Sequence, residues 1–127
     1  AYPNTFACSA PAEAEWLGLY AVKSDLDGYL RWAFNSWVQE PLLDSRYITW
    51  AAGDTYLVYP GARTSIRFER LVAGIQDYEK IKILRKELKL TALKRLDKIL
   101  NTFDEMMLPT ISASTFVKNV KTEIDKY

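Results

Sequence analysis

The chain has 127 residues, 49% of them apolar, which is enough for one compact core and too few for two domains of ordinary size. Lys and Arg number 17 against 16 Asp and Glu, so the net charge of +1 gives no overall field toward nucleic acid or anionic lipid, and neither partner is expected. Histidine is absent and Cys8 is the single cysteine, which excludes His-based triads, His metal ligands and an intrachain disulfide; no metal or cofactor is expected.

No stretch approaches the ~20 consecutive apolar residues of a membrane-spanning helix. The chain opens on Ala1-Tyr2-Pro3 without a Met or a signal peptide, and is expected to be a piece of a longer protein. A further strand is predicted over 2–7. Cys8 is predicted to be a small buried apolar residue. A helix follows over 11–22, with Pro11 suited to a first turn and Glu13 and Glu15 suited to its positive end. Its apolar stripe would be Trp16, Leu19 and Tyr20. Asp25-Leu26-Asp27-Gly28 reads as a turn.

Residues 29–37 are aromatic-rich and apolar on both faces, which predicts a strand buried between layers. Residues 41–50 read as a loop. A second strand is predicted over 54–59, halted by Pro60-Gly61. Thr64 and Ser65 are both competent helix caps. Behind them Phe68, Leu71, Val72, Ile75 and Tyr78 recur at helical spacing, predicting a helix to about Leu88. A second helix carries Leu93, Leu96, Leu100, Phe103 and Met107 and stops before Pro109. A third begins near Ser112–Ser114 with Phe116, Val117, Val120 and Ile124. Strand–helix–strand order predicts an α/β fold with parallel, right-handed crossovers. All four Trp lie in residues 1–64, and the remainder is Lys-, Glu- and Leu-rich.

Two runs carry a family resemblance. One is Gly28-Tyr29-Leu30-Arg31-Trp32-Ala33-Phe34-Asn35-Ser36-Trp37. The other is Ala52-Gly53-Asp54-Thr55-Tyr56-Leu57-Val58-Tyr59-Pro60-Gly61, continuing through Ser65-Ile66-Arg67-Phe68-Glu69 and Gly74-Ile75-Gln76-Asp77-Tyr78-Glu79. Together with Pro11-Ala12-Glu13-Ala14-Glu15-Trp16-Leu17, they resemble the C-terminal end of the glycoside hydrolase family 123 catalytic domain, first described as a domain of unknown function. The resemblance spans about residues 2–88.

It implies a partial (β/α)8 TIM barrel, of which residues 1–88 would supply the last two or three strands and helices. Residues 89–127 would then be a C-terminal helical extension of the same unit. It also implies an N-acetyl-β-hexosaminidase or galactosaminidase acting by substrate-assisted catalysis, in a secreted or periplasmic parent. In that chemistry the substrate's acetamido oxygen attacks C1, and an adjacent Asp-Glu pair supplies the acid and orients the acetamido group. The pair would lie upstream of this chain, which alone would be inactive. Asp104-Glu105 is rejected as that pair, because it sits late in a helix where consecutive side chains diverge by about 100°.

On this reading the substrate-binding residues are Asn35, Trp37 and Tyr59, at the ends of the two strands. Trp37 reads either as a sugar-stacking platform or as a loop anchor, and Tyr59 as a hydroxyl contact or a packed ring. Asn35 and Arg31 would share the face of Trp37 under strict alternation. Arg31, deeper in, is expected to meet a buried carboxylate from elsewhere in the barrel, since an unpaired buried guanidinium is costly. Trp32, on the opposite face, is expected in the core. Asp54 is expected to cap the Gly53 turn, and Arg67 to hold a loop or a polar group of the substrate. The basic residues Lys80, Lys82, Arg85, Lys86 and Lys89 spread around their helix and read as a solvated face.

The expected partners are an N-acetylhexosamine-containing glycan and the missing N-terminal part of the same protein. A complete barrel needs ~200–250 residues, so open sheet edges would favour a homodimer or strand-exchanged oligomer of the isolated piece. Two other readings stand beside the enzyme fragment. One is an autonomous carbohydrate-binding module built on Trp37, Trp50 and Tyr59. The other is a helical interaction module over residues 65–127.

Overall fold

The computed structural model describes residues 3–46, 49–107 and 112–127, with the backbone alone at residue 105. Among the described residues four helices carry the architecture: α1 (Pro11–Lys23), α2 (Ile66–Glu87), α3 (Leu90–Leu100) and α4 (Ala113–Ile124). A 3-10 turn, Glu105–Met107, lies between α3 and α4. Residues 24–46 and 49–65 belong to a long irregular lobe between α1 and α2.

Helix α1 starts where Pro11 fixes φ and where the Glu13 carboxylate accepts the backbone N–H groups of Asn4 and Ala10 at 2.9 and 3.3 Å. It stops in a Schellman arrangement. Asp25 takes the left-handed conformation (φ 54°), and the Leu26 N–H reaches the Ala21 carbonyl at 2.9 Å. Helix α2 begins at Ser65, whose hydroxyl accepts the Phe68 N–H at 3.1 Å. Ser112 caps α4 in the same way through the Thr115 N–H.

Residues 12–19 are all buried, so α1 is covered on every side and carries no single apolar stripe. One face joins the larger core. Trp16, Leu19 and Val22 pack there with Ile81 and Leu84 of α2, Leu96 and Leu100 of α3, Phe103, and Phe116, Val120 and Ile124 of α4. Trp16 stacks on Phe103 at 5.4 Å and on Phe116 at 6.4 Å. The opposite face, through Ala14 and Leu17, meets Leu71 and Leu57, anchoring the irregular lobe against the helices.

Backbone contact sets how closely α1 and α2 approach. A methyl group on Gly18 would stand 2.0 Å from the Gly74 carbonyl oxygen, and one on Gly74 would stand 2.4 Å from the Glu15 carbonyl oxygen. Both positions therefore require glycine. The approach buries charge. Glu15 is fully buried and meets Lys121 of α4 at 2.8 Å and Arg70 of α2 at 3.0 Å. Lys121 also meets the buried Asp77 of α2 at 3.2 Å. Glu15 Oε1 and Asp77 Oδ2 face this ammonium as ion-pair contacts rather than aligned hydrogen bonds. Burial pushes the Asp77 carboxyl up, Lys121 opposes the rise and Glu15 adds to it.

The expected α/β partial barrel is not present, and the expectation is corrected: the chain is helical, with no sheet among the described residues. Residues 29–37 and 54–59 meet antiparallel, not parallel, at the isolated bridge Asn35–Tyr56. Two backbone hydrogen bonds hold them, Ser36 N–H to Thr55 O at 3.0 Å and Leu57 N–H to Phe34 O at 2.8 Å. A strand apolar on both faces needs a layer on each side and partners on each edge, and a lone two-stranded ribbon is marginal. Neither layer is supplied, and Leu30 stands 92% exposed.

Other expectations shift as well. The helix expected to run on to Met107 ends at Leu100, where Asn101 and Thr102 turn the chain. Residues 3–7 form no strand, and Cys8 is exposed. Tyr2 of the strand expected over 2–7, residues 47–48 of the expected loop, Pro109 as a helix stop and the side chain of Glu105 lie outside the described residues.

Two outcomes follow. Gly18→Ala should destabilise the fold by roughly 3 kcal/mol through overpacking, read from the urea midpoint; an unchanged midpoint would contradict the close crossing. For Asp77 the folded pKa lies above the unfolded value of about 3.9, so its contribution is full below that pH and is lost as pH rises through the raised value. The stability of Asp77→Asn relative to wild type should therefore improve as pH rises from 4 toward neutrality, with Glu15, Arg70 and Lys121 intact. A relative decline over that window would refute the assignment.

Candidate functional site

The irregular lobe is pinned at three points, two of them, Arg31 and Arg67, singled out in the sequence. Arg31 turns inward to an ion pair with the Asp54 carboxylate, and its guanidinium also donates to the Asp54 carbonyl at 2.6 Å. Its carboxylate partner thus comes from within this chain. Strict alternation fails here, because Asn35 and Trp37 face solvent while Arg31 does not. Arg31 also lies 5.8 Å from the centre of the Phe6 ring.

Arg67, in the first turn of α2, is the second pin. It is 7% exposed and donates to the carbonyls of Thr5 at 2.8 Å and Gly53 at 2.7 Å. Its guanidinium sits 5.6 Å over the Tyr56 ring and takes the space that a side chain at residue 53 would need. Gly53 is left-handed (φ 77°), so glycine is required there on both counts. No carboxylate pairs with Arg67 among the described residues; carbonyl dipoles and an aromatic face carry its charge.

Tyr56 is the third pin, and the alternation of residues 54–59 does not reveal it, because Thr55, Tyr56 and Leu57 are all buried. Its hydroxyl donates to the Ser45 carbonyl at 3.2 Å, and its ring meets Tyr59 edge-on at 5.3 Å. Burial pushes the Tyr56 phenol up, and the neighbouring Tyr59 adds to the rise.

Around these pins the lobe presents aromatic surface. The Trp37 indole N–H donates to the Val58 carbonyl at 2.8 Å, which fixes the ring while 42% of the residue stays exposed. Trp32, expected in the core, is instead 60% exposed and leans on Trp50 at 5.3 Å. Phe34 meets Phe68 edge-on at 5.7 Å. Trp32, Phe34, Trp37 and Trp50 each leave more than two fifths of their surface exposed.

Asn35, Trp37 and Tyr59 lie along one paired ribbon. Asn35 bridges Tyr56, and Trp37 is bonded to the residue before Tyr59. They do not share one cavity. Tyr59 alone of the three lines an open basin of about 400 Å³, together with Pro41, Leu42, Leu43, Ser45, Arg63 and Thr64. Its size is that of a ligand site. No carboxylate lines it among the described residues. Asp104, one of the pair rejected above, accepts the Met106 N–H at 2.9 Å just ahead of the 3-10 turn. No group of three or more His, Cys, Asp or Glu able to hold a metal occurs among the described residues.

The site's second layer was not legible in the sequence. Tyr56 and Arg63 carry it, and the only local signal was Pro60-Gly61, which announced a turn without saying which side chain it would present.

Comparison with known proteins adds the following. A family profile described as the catalytic domain of glycoside hydrolase 123 matches residues 1–84. No curated protein matches the chain. A solved family 123 glycoside hydrolase from Clostridium perfringens, whose structural analysis addresses glycolipid glycan hydrolysis, superposes with a TM-score of 0.85 at 23% identity. The superposition covers 99% of this chain and 25% of that one, so the chain spans about a quarter of that hydrolase's length. At that identity the likeness is one of fold.

Proposed function

The chain belongs to the glycoside hydrolase 123 family, and on that premise we propose that residues 29–64 form one wall of a glycan-binding site. The observation that carries this is Trp37, an indole fixed by its own N–H to a backbone carbonyl with its ring still open to solvent. A rigid exposed ring offers a flat apolar surface to the C–H face of a sugar at little entropic cost. Asn35, exposed on the same ribbon, supplies an amide for a hydroxyl or acetamido group, and Tyr59 supplies a phenol at the basin.

The substrate proposed is a glycan ending in a β-linked N-acetylhexosamine. The family and the glycolipid glycans named for the solved relative both support a carbohydrate. The reaction proposed is substrate-assisted hydrolysis, with the acid and the acetamido-orienting carboxylate supplied by chain outside residues 1–127. The remainder of a family 123 catalytic domain is accordingly the proposed protein partner, in a secreted or periplasmic parent.

A second reading is favoured by the exposed Trp32–Trp50 pair, which suits a carbohydrate-binding platform without catalysis. One titration separates them. Binding of an N-acetyl-β-hexosaminide oligosaccharide to the chain, followed by calorimetry, should weaken about fivefold in Trp37→Ala, the loss of one stacking contact of about 1 kcal/mol, and change little in Trp32→Ala. A loss confined to Trp32→Ala favours the platform, and an unchanged affinity in Trp37→Ala removes the wall.

A further inference from the structure

The turn that follows Tyr59 is built to present one guanidinium. The Tyr59 N–H donates to the Arg63 carbonyl at 2.8 Å, and the two residues form an antiparallel bridge. Between them Gly61 (φ 75°) and Ala62 (φ 56°) are both left-handed, so the chain reverses within three residues. The Arg63 side chain folds back over this turn. Its guanidinium donates to the Pro60 carbonyl at 2.8 Å and lies 2.9 Å from where a methyl group on Gly61 would stand. Glycine at 61 therefore makes room for it. One hydrogen bond fixes the group, and Arg63 forms no ion pair among the described residues.

Among the described residues Arg63 is also the single charged one lining the basin. Glu69 and Asp54, the acids nearest Arg63 in sequence, are both engaged, Asp54 by Arg31. Asp44 is bonded to Arg46, whose hydrogen bonds hold its carboxyl down at about 2. Glu69 accepts the Thr64 hydroxyl at 2.5 Å. Ser45, Tyr59 and Thr64 line the basin with Arg63. A planar guanidinium held in this way suits a carboxylate or a sulfate, which it binds through paired, charge-assisted hydrogen bonds.

We propose that Arg63 makes this basin selective for glycans bearing an anionic group, a uronate carboxylate or a sulfate ester, beside the sugar held at Trp37. The inference rests on the carbohydrate reading above and narrows it from glycans in general to acidic ones.

The test is calorimetric titration of the 127-residue chain with three ligands: a neutral N-acetylhexosamine disaccharide, its uronate-containing counterpart and its sulfated counterpart. At least one acidic ligand should bind roughly three- to tenfold more tightly than the neutral one at low salt, and the advantage should shrink as salt is added. Whichever acidic ligand gains identifies the group. Arg63→Gln should abolish the advantage, so that acidic and neutral ligands bind alike, and Arg63→Lys should keep part of it. Equal binding of all three ligands to wild type, or a preference that survives in Arg63→Gln, overturns the proposal and leaves the carbohydrate reading standing. If none of the three binds, the carbohydrate reading falls and this inference falls with it.

Discussion

The rest of the structure depends on two helices touching backbone to backbone at Gly18 and Gly74. A side chain at either position would collide with a carbonyl of the other helix. Because α1 and α2 meet this closely, α1 has no exposed flank, and residues 12–19 are buried all round. It therefore behaves as a beam rather than as a surface helix. One side holds the aromatic core of Trp16, Phe103 and Phe116, and the other holds Leu57 and Leu71 beneath the irregular lobe. Without a fully buried beam, the lobe would have no apolar floor to anchor it.

The same approach forces a polar problem and its solution. Glu15 lies between the helices and has no access to water, so leaving it unpaired would cost far more than a lost surface ion pair. Arg70 answers from α2 and Lys121 answers from α4. Lys121 in turn meets Asp77, so three helices share one charge cluster. Helix α4 is fixed both by its apolar face and by this ammonium, although it lies beyond the 84 residues that carry the family profile.

The helices were readable in the sequence because their signals are local. Pro11, Ser65 and Ser112 mark starts through φ restriction and side-chain caps, and the spacing of Phe116, Val117, Val120 and Ile124 fixes the buried face of α4. The lobe was not readable. Residues 29–37 are apolar at both parities, a pattern that describes a strand between layers equally well as an aromatic segment lying open. Period-two reasoning has no term for what covers a face, and here Phe68 meets Phe34 while Leu30 and Trp32 stay exposed. The buried partners failed for a related reason. Glu15 answers to Lys121 and Arg67 to Thr5, contacts that join distant parts of the chain and leave no trace in spacing. Asn35, Trp37 and Tyr59 were singled out from their places at segment ends. The structure sets them on one ribbon but lets Tyr59 alone face the basin.

The functional picture joins these parts. The helices hold a floor, Arg31, Arg67 and Tyr56 stiffen the lobe above it, and the lobe turns aromatic and polar groups outward. Heteronuclear NMR of the chain tests this most directly, because the four indole N–H groups report from distinct places. On addition of an N-acetyl-β-hexosaminide glycan, the Trp37 indole and the Asn35 side-chain amide should shift, while the buried Trp16 indole stays in place. A Trp37 resonance that does not move, or shifts spread through the helices instead of the lobe, would contradict the account.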